Sequence, residues 1–225
     1  MHNVTAIIPA YNEALRLPEV LKAVQAATLI SEIIVVNDGS TDDTAQVASA
    51  SGVRVVNLEE NCGKGTALRA GALASAGDIL LFLDADLHGI IPSQVDDLVR
   101  PVLQQKAEMA IGVFYGGRAA TDLAQYLCPN ISGQRCLFSN FFLSAPLIEG
   151  SRSGVEIAIT IHARASKLQV QNVPLRGITH TVKEEKLGLV HGVFARMRMY
   201  LDILITLVRY TLITRLPGRT PVSSK

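Results

Sequence analysis

The sequence predicts an α/β protein: a Rossmann-like, mostly parallel sheet with helices on both faces, followed by a C-terminal helical segment. Two observations carry this. Apolar runs of strand length alternate with helix-periodic segments as far as Val113, the rhythm of successive βαβ units. Three of the apolar runs also end in polar or acidic residues: Ile7-Ile8-Pro9-Ala10-Tyr11-Asn12-Glu13, Ile33-Ile34-Val35-Val36-Asn37-Asp38-Gly39-Ser40, and Ile79-Leu80-Leu81-Phe82-Leu83-Asp84-Ala85-Asp86. Ligands of open α/β sheets bind outside the carboxyl ends of the strands, so these three ends predict one crevice along one sheet edge.

Element by element, Val4–Ile8 is the first strand. Leu17–Ala26 has helical spacing with Pro18 suited to a first turn. Glu32–Val36 is the second strand, and Ser40 or Thr41 caps a helix running through Ala50, with Asp42-Asp43 at its positive end. Val53–Leu58 is the third strand. Gly63–Ala76 is a helix of small residues able to pack closely on the sheet. Ile79–Leu83 is the fourth strand. Pro92–Gln105 is a helix that Pro101 should kink or end, and Glu108–Val113 is a fifth strand. Beyond Phe114 the pattern changes. Gly116–Arg118 and Ser132–Arg135 read as loops, Leu123–Leu127 as a short helix, Gly154–Ala165 as a helix and Gln169–Leu175 as a strand. His180–Lys186 reads as a polar loop, and Leu187–Leu216 as one long helix or two.

The chain has 225 residues, of which 48% are hydrophobic, enough for a sizeable core in one large domain or two small ones. A net charge of +1 gives no reason to expect nucleic acid. The three cysteines, Cys62, Cys128 and Cys136, are too widely spaced for a CxxC motif, and an odd count argues against a disulfide framework. They read as reduced thiols of a cytoplasmic protein. Pro9 and Asn12-Glu13 interrupt the first apolar run, which reads as a strand, not a signal peptide. No run approaches the ~20 apolar residues of a membrane span.

Four constellations carry chemistry. Asp84 and Asp86, one residue apart after a buried strand, offer hard oxygen ligands for Mg²⁺ or Mn²⁺, a site that a diphosphate would complete; otherwise they are two solvated acids in a turn. His88 is either a further ligand or a surface histidine. Asp38, beside Gly39-Ser40, can accept a hydrogen bond from a nucleobase or ribose, or else it caps a helix. Lys64, between Gly63 and Gly65, can approach a diphosphate at a helix N-terminus, although GxxxxGK[ST] spacing is absent. Glu156, after Gly154-Val155, is a general base toward an acceptor hydroxyl or a first-turn acid serving the helix dipole.

Together IIPAYNE (7–13), VVNDGSTDDT (35–44), NCGKGTALRAG (61–71) and GDILLFLDADL (77–87) resemble, in order and spacing, the glycosyltransferase family 2 catalytic domain of GT-A fold. The second half matches more loosely, through SGQR (132–135), GVEIAI (154–159) and the stretch from His180 to Gly192. DADL followed by a polar residue also resembles the polyprenyl-phosphate mannosyl- and glucosyltransferases, although Gly89-Ile90-Ile91-Pro92 departs from their pattern. The resemblance implies metal-dependent transfer of a sugar from a UDP- or GDP-sugar, with inversion, using Mg²⁺ or Mn²⁺. It places Pro9, Tyr11, Glu13 and Asp38 on the nucleoside, Lys64 near the donor, Asp84 on the sugar–ribose side and Asp86 on the metal. His88 and His180 are further metal or diphosphate contacts, and Glu156 is the base.

That reading divides the chain into a catalytic domain over 1–180 (nucleotide-sugar half 1–113, acceptor half 114–180), a helical extension over 181–216 and a disordered tail over 217–225. The acceptor is left open between a polyprenyl phosphate, a small hydroxy acid and a glycan. Leu189, Val193, Met197, Leu201, Leu204 and Val208 recur at helical spacing beside Arg196, Arg198, Arg209 and Arg215. Such a stretch packs on its own domain, on a second copy in a homodimer, or peripherally on the inner face of a membrane. Two rivals remain: a sugar-nucleotidyltransferase, and a non-catalytic nucleotide-sugar-binding or scaffold subunit.

Overall fold

The computed structural model describes residues 2–115, 132–146 and 154–180. The expected Leu123–Leu127 helix, the Gly116–Arg118 loop, the Leu187–Leu216 helix and the tail lie outside them.

In chain order the elements are β1 (Val4–Ala10), α1 (Leu17–Gln25), β2 (Glu32–Asp38), α2 (Thr44–Ala50), β3 (Arg54–Leu58), α3 (Lys64–Ala74), β4 (Ile79–Phe82), β5 (Leu87–His88), α4 (Pro92–Leu103), β6 (Met109–Tyr115), β7 (Arg135–Phe138), α5 (Ser139–Ser144), α6 (Val155–Ala165), β8 (Val170–Arg176) and β9 (Thr179–His180). Seven strands form one sheet in the order β3-β2-β1-β4-β7-β6-β8. β1 pairs parallel with β2 and β4, and β2 with β3. β7 runs antiparallel between β4 and β6, and β8 rejoins β6 in parallel. The mostly parallel sheet is thus as expected.

Strand periodicity explains the layers. Val4, Ala6, Ile8 and Ala10 of β1, with Ile79 and Leu81 of β4, face a core shared with Leu17, Val20, Leu21 and Val24 of α1 and Val95, Leu98, Val99 and Val102 of α4. Ile7, Leu80 and Phe82 face the opposite core, with Ala67, Leu68 and Ala72 of α3, Phe142 of α5 and Val155, Ile159 and Ala163 of α6. The small-residue helix does pack closely. A Cβ on Gly71 would lie 2.5 Å from Ile7 Cγ2 and 3.0 Å from Val36 Cγ2.

Four local expectations are corrected. The helix after β2 begins at Thr44, with Asp43 at the N-cap position where Ser40 or Thr41 was expected; the Asp43 side chain makes no capping bond, and the preceding Asp42 carboxylate accepts the Thr44 N–H at 3.0 Å and the Thr44 hydroxyl. Pro101 does not end α4 at once. It lies two residues before the C-terminus, and its carbonyl closes the turn by accepting Lys106 N–H at 2.9 Å. The expected 132–135 loop stops at Gln134, because Arg135 opens β7. β5 and β9 pair antiparallel, with Leu87 opposite His180, so His180 belongs to a strand pair and not to a loop. Among the described residues no helix is long and apolar enough to cross a membrane.

Candidate active site

The parallel strands β1, β2, β3 and β4 deliver their carboxyl ends to one edge, and the loops that follow are tied to one another. The turn after β1 needs a left-handed residue, and Asn12 takes φ 55°, a conformation asparagine tolerates. Its backbone N–H donates to Ser40 Oγ at 3.0 Å, and its side-chain oxygen accepts Thr41 N–H at 2.9 Å. Glu13 N–H reaches Thr44 Oγ1 at 2.9 Å, and Ala14 N–H reaches Asp42 at 3.2 Å. After β2, Gly39 adopts φ +66°, and a Cβ there would sit 2.4 Å from the Glu60 carbonyl carbon.

Asp38 is buried, with 4% of its surface exposed. Its carboxylate accepts the N–H groups of Cys62 at 2.8 Å and Gly63 at 3.0 Å. It therefore holds the loop preceding α3 against the end of β2, a role the sequence did not disclose. Glu13 is nearly buried and accepts Arg16 Nη1 at 3.1 Å. Tyr11, by contrast, is 45% exposed at the mouth of the crevice, while Pro9 is partly covered in β1.

The centre of the site is a charge cluster. Lys64, the first residue of α3, places Nζ 2.6 Å from Asp84 Oδ1 and 2.6 Å from Glu156 Oε1. Burial alone would depress the Lys64 ammonium, but the two carboxylates outweigh it and hold its pKa well above the ordinary lysine value. Asp84 Oδ2 accepts Gln134 Nε2 at 2.8 Å. Gln134 Oε1 in turn accepts the Ser132 hydroxyl at 2.8 Å. Gly133 passes so close that a Cβ would meet Lys64 Nζ at 2.6 Å and Asp84 Oδ2 at 2.7 Å. Beneath lies Arg135, 1% exposed, whose Nε donates to the Ser132 carbonyl at 2.9 Å. Its pKa is pushed down to about 10 by burial, against the opposing charge of Glu156.

Lys64, Asp84 and Glu156, three residues singled out from the sequence, are thus in direct contact. Glu156 enters as an ion-pair partner of Lys64 at the start of α6. Ser132, Gly133, Gln134 and Arg135 had been assigned no role. The signal that marks them is a Gln-Arg pair directly before the apolar Cys136-Leu137-Phe138.

Asp86, partly buried, lies two residues beyond Asp84. The β5–β9 pairing brings the His180 backbone opposite Leu87, next to it. His88 is anchored on α1: its Nδ1 lies 3.0 Å from Glu19 Oε2, and Glu19 Oε1 accepts Gly89 N–H at 2.7 Å. The Gly89 amide first and then His88 hold the Glu19 carboxyl below its usual value. A carboxylate behind an imidazole fixes ring orientation and tautomer. Among the described residues no three His, Cys, Asp or Glu side chains converge enough to hold a metal by themselves. A hard carboxylate oxygen at a strand end, as Asp86 supplies, fits Mg²⁺ or Mn²⁺ sharing its shell with phosphate oxygens.

Comparison with known proteins bears on this arrangement. The glycosyl transferase family 2 model matches residues 5–144, more than half of the chain. Glucosyl-3-phosphoglycerate synthase of Mycobacterium tuberculosis is 36% identical over 121 residues, covering 50% of this chain and 37% of that protein. Dolichyl-phosphate beta-glucosyltransferase of Drosophila melanogaster is 44% identical over 98 residues, covering 36% of this chain and 30% of that protein. The aligned segments therefore span about a third of these relatives' length. A crystal structure of the M. tuberculosis synthase with Mn²⁺, UDP and glucosyl-3-phosphoglycerate superposes with a TM-score of 0.75 at 29% identity, over 92% of this chain and 79% of that one. The α/β GT-A expectation holds. On its family match, its sheet order and the four motifs at the strand ends, the chain belongs to glycosyltransferase family 2.

Proposed function

We propose that this chain transfers a sugar from a nucleoside diphosphate donor, of the UDP-glucose kind, to an acceptor hydroxyl or phosphate, with inversion at the anomeric carbon. The observation that carries the reading is the Lys64–Asp84–Glu156 cluster at the end of β4, beside Asp86 and at the N-terminus of α3. The donor class is supported by the UDP and Mn²⁺ bound in the matched crystal structure. Inversion is supported by family membership and by the beta product in the dolichyl-phosphate relatives' name.

Asp86 would hold a Mg²⁺ or Mn²⁺ ion, with His180 and His88 as the further contacts. When bound, the ion offsets charge on a leaving diphosphate. The chain's own residues do the rest. An ammonium carries three donors, and Asp84 and Glu156 take two of Lys64's. The third is available to a donor oxygen at the positive end of α3. The nucleoside lies between the β1 and β2 loops, with Tyr11 at its face and the Asp38-braced loop beneath. Toward a hydroxyl acceptor, Glu156 takes the proton once a donor draws Lys64 away from it; a phosphate acceptor attacks through an oxygen that is already ionised.

Two acceptors are carried forward. A small phosphorylated hydroxy acid is supported by the structural match, which extends through the acceptor half. A polyprenyl phosphate is supported by the dolichyl-phosphate relative. With the latter, the basic stretch over 187–216 would rest on an anionic membrane; with the former, a second copy would cover it. The test is transfer from UDP-glucose to 3-phosphoglycerate or to a short-chain polyprenyl phosphate, with and without EDTA, the product anomer being read by NMR. A metal-dependent beta product supports the reading. An alpha product overturns inversion, and donor binding without turnover favours the non-catalytic alternative.

A further inference from the structure

Gln134 is fully buried, and its place is fixed twice over. Its backbone carbonyl accepts Gly112 N–H at 2.9 Å. Its side-chain oxygen accepts the hydroxyl of Ser132, itself only 2% exposed. A primary amide has one accepting end and one donating end. With the oxygen committed to Ser132, the NH₂ is aimed at Asp84 Oδ2, 2.8 Å away. The other Asp84 oxygen meets the Lys64 ammonium at 2.6 Å. Ser132, Gln134, Asp84 and Lys64 therefore form a directed chain from the buried loop to the N-terminus of α3. Gly133, between the first two, gives that loop the close approach it needs: any Cβ would strike both Lys64 and Asp84.

The geometry points to Gln134 as a positioning residue that acts through Asp84 to hold Lys64 in place for the donor, with the Ser132 hydroxyl setting the orientation of its amide. The catalytic part of this rests on the transfer proposed above; the Gln134–Asp84–Lys64 coupling does not. Leucine at 134 would fill similar space but donate nothing, removing this hydrogen bond from Asp84 Oδ2 and loosening the carboxylate's alignment on Lys64. Glutamate would set a like charge against Asp84 and cannot substitute.

The experiment uses the full chain with Gln134→Leu, Ser132→Ala, Asp84→Asn and the double variant Asp84→Asn/Gln134→Leu. The first readout needs no substrate: the rate at which Lys64 is acetylated by an N-hydroxysuccinimide ester, followed by mass spectrometry. Gln134→Leu should speed labelling several-fold, and Ser132→Ala should do so less. In the Asp84→Asn background Gln134→Leu should add less than about twofold, since the effect runs through Asp84. The second readout is steady-state transfer from UDP-glucose. Here Gln134→Leu should lower kcat about tenfold, the equivalent of one lost hydrogen bond to a charged group, with the donor KM moved less than about twofold. Lys64 labelling unchanged in both Gln134→Leu and Ser132→Ala overturns the inference, as does an equal effect of Gln134→Leu with Asn at 84. If Gln134→Leu does not fold, Ser132→Ala decides. Absence of transfer by the wild-type chain sinks the proposed function, while the labelling arm still decides the coupling.

Discussion

Replacing Lys64 with methionine removes a cation and keeps most of its apolar bulk. The side chains of Lys64, Asp84 and Glu156 are 24%, 20% and 12% exposed, so water screens only part of the ion pairs. Breaking a buried pair by removing one partner costs about 3–5 kcal/mol, and partial exposure places this case near the lower end, about 3 kcal/mol. At about 2–4 °C per kcal/mol for a chain of this size, Lys64→Met should melt about 6–12 °C below wild type at pH 7. Scanning calorimetry at neutral pH measures the effect. A variant melting within about 2 °C of wild type would refute the cluster's assigned role.

Three further outcomes are expected. Asp96, buried in α4, accepts Thr28 N–H, Thr28 Oγ1–H and Leu29 N–H. Burial alone would raise its pKa, but these bonds, Leu29's first, hold it below the ordinary aspartate value. Its stabilisation is therefore present above the unfolded pKa and lost as pH falls through the folded one; in urea unfolding, Asp96→Asn should flatten the fall in stability over about pH 2–4 and lower the neutral stability by about 2 kcal/mol. Gly133→Ala should cut transfer at least tenfold and cost about 1–3 kcal/mol, because the added Cβ meets both Lys64 Nζ and Asp84 Oδ2 and must push their ion pair aside; unchanged kcat would contradict the close approach. Gly71→Ala should destabilise by about 1–3 kcal/mol through overpacking against Ile7 and Val36, and a raised melting temperature would show that the sheet can give way there.

The first half of the fold was legible because β1, β2 and β4 are compact apolar runs closed by polar residues, and because parallel strands put those closures on one edge. What escaped was short or long-range. β7 is four residues long and begins with a buried arginine, so Ser132-Gly133-Gln134-Arg135 looked like a turn. β5 and β9 are two residues each, below any periodic signal. Of the site, Lys64, Asp84 and Glu156 were visible as residue types, but their contact spans 92 positions between Lys64 and Glu156, which only the fold closes. Asp38 shows another limit: a strand-end carboxylate expected to meet ligand also serves two backbone amides, a use that local sequence does not distinguish.

The most direct test of the central claim is titration calorimetry of UDP into the chain, with Mn²⁺, with EDTA, and with Asp86→Ala. The account predicts binding by wild type in Mn²⁺ that EDTA abolishes and that Asp86→Ala does not show. UDP binding of equal strength in all three would contradict a metal-dependent donor site at the end of β4.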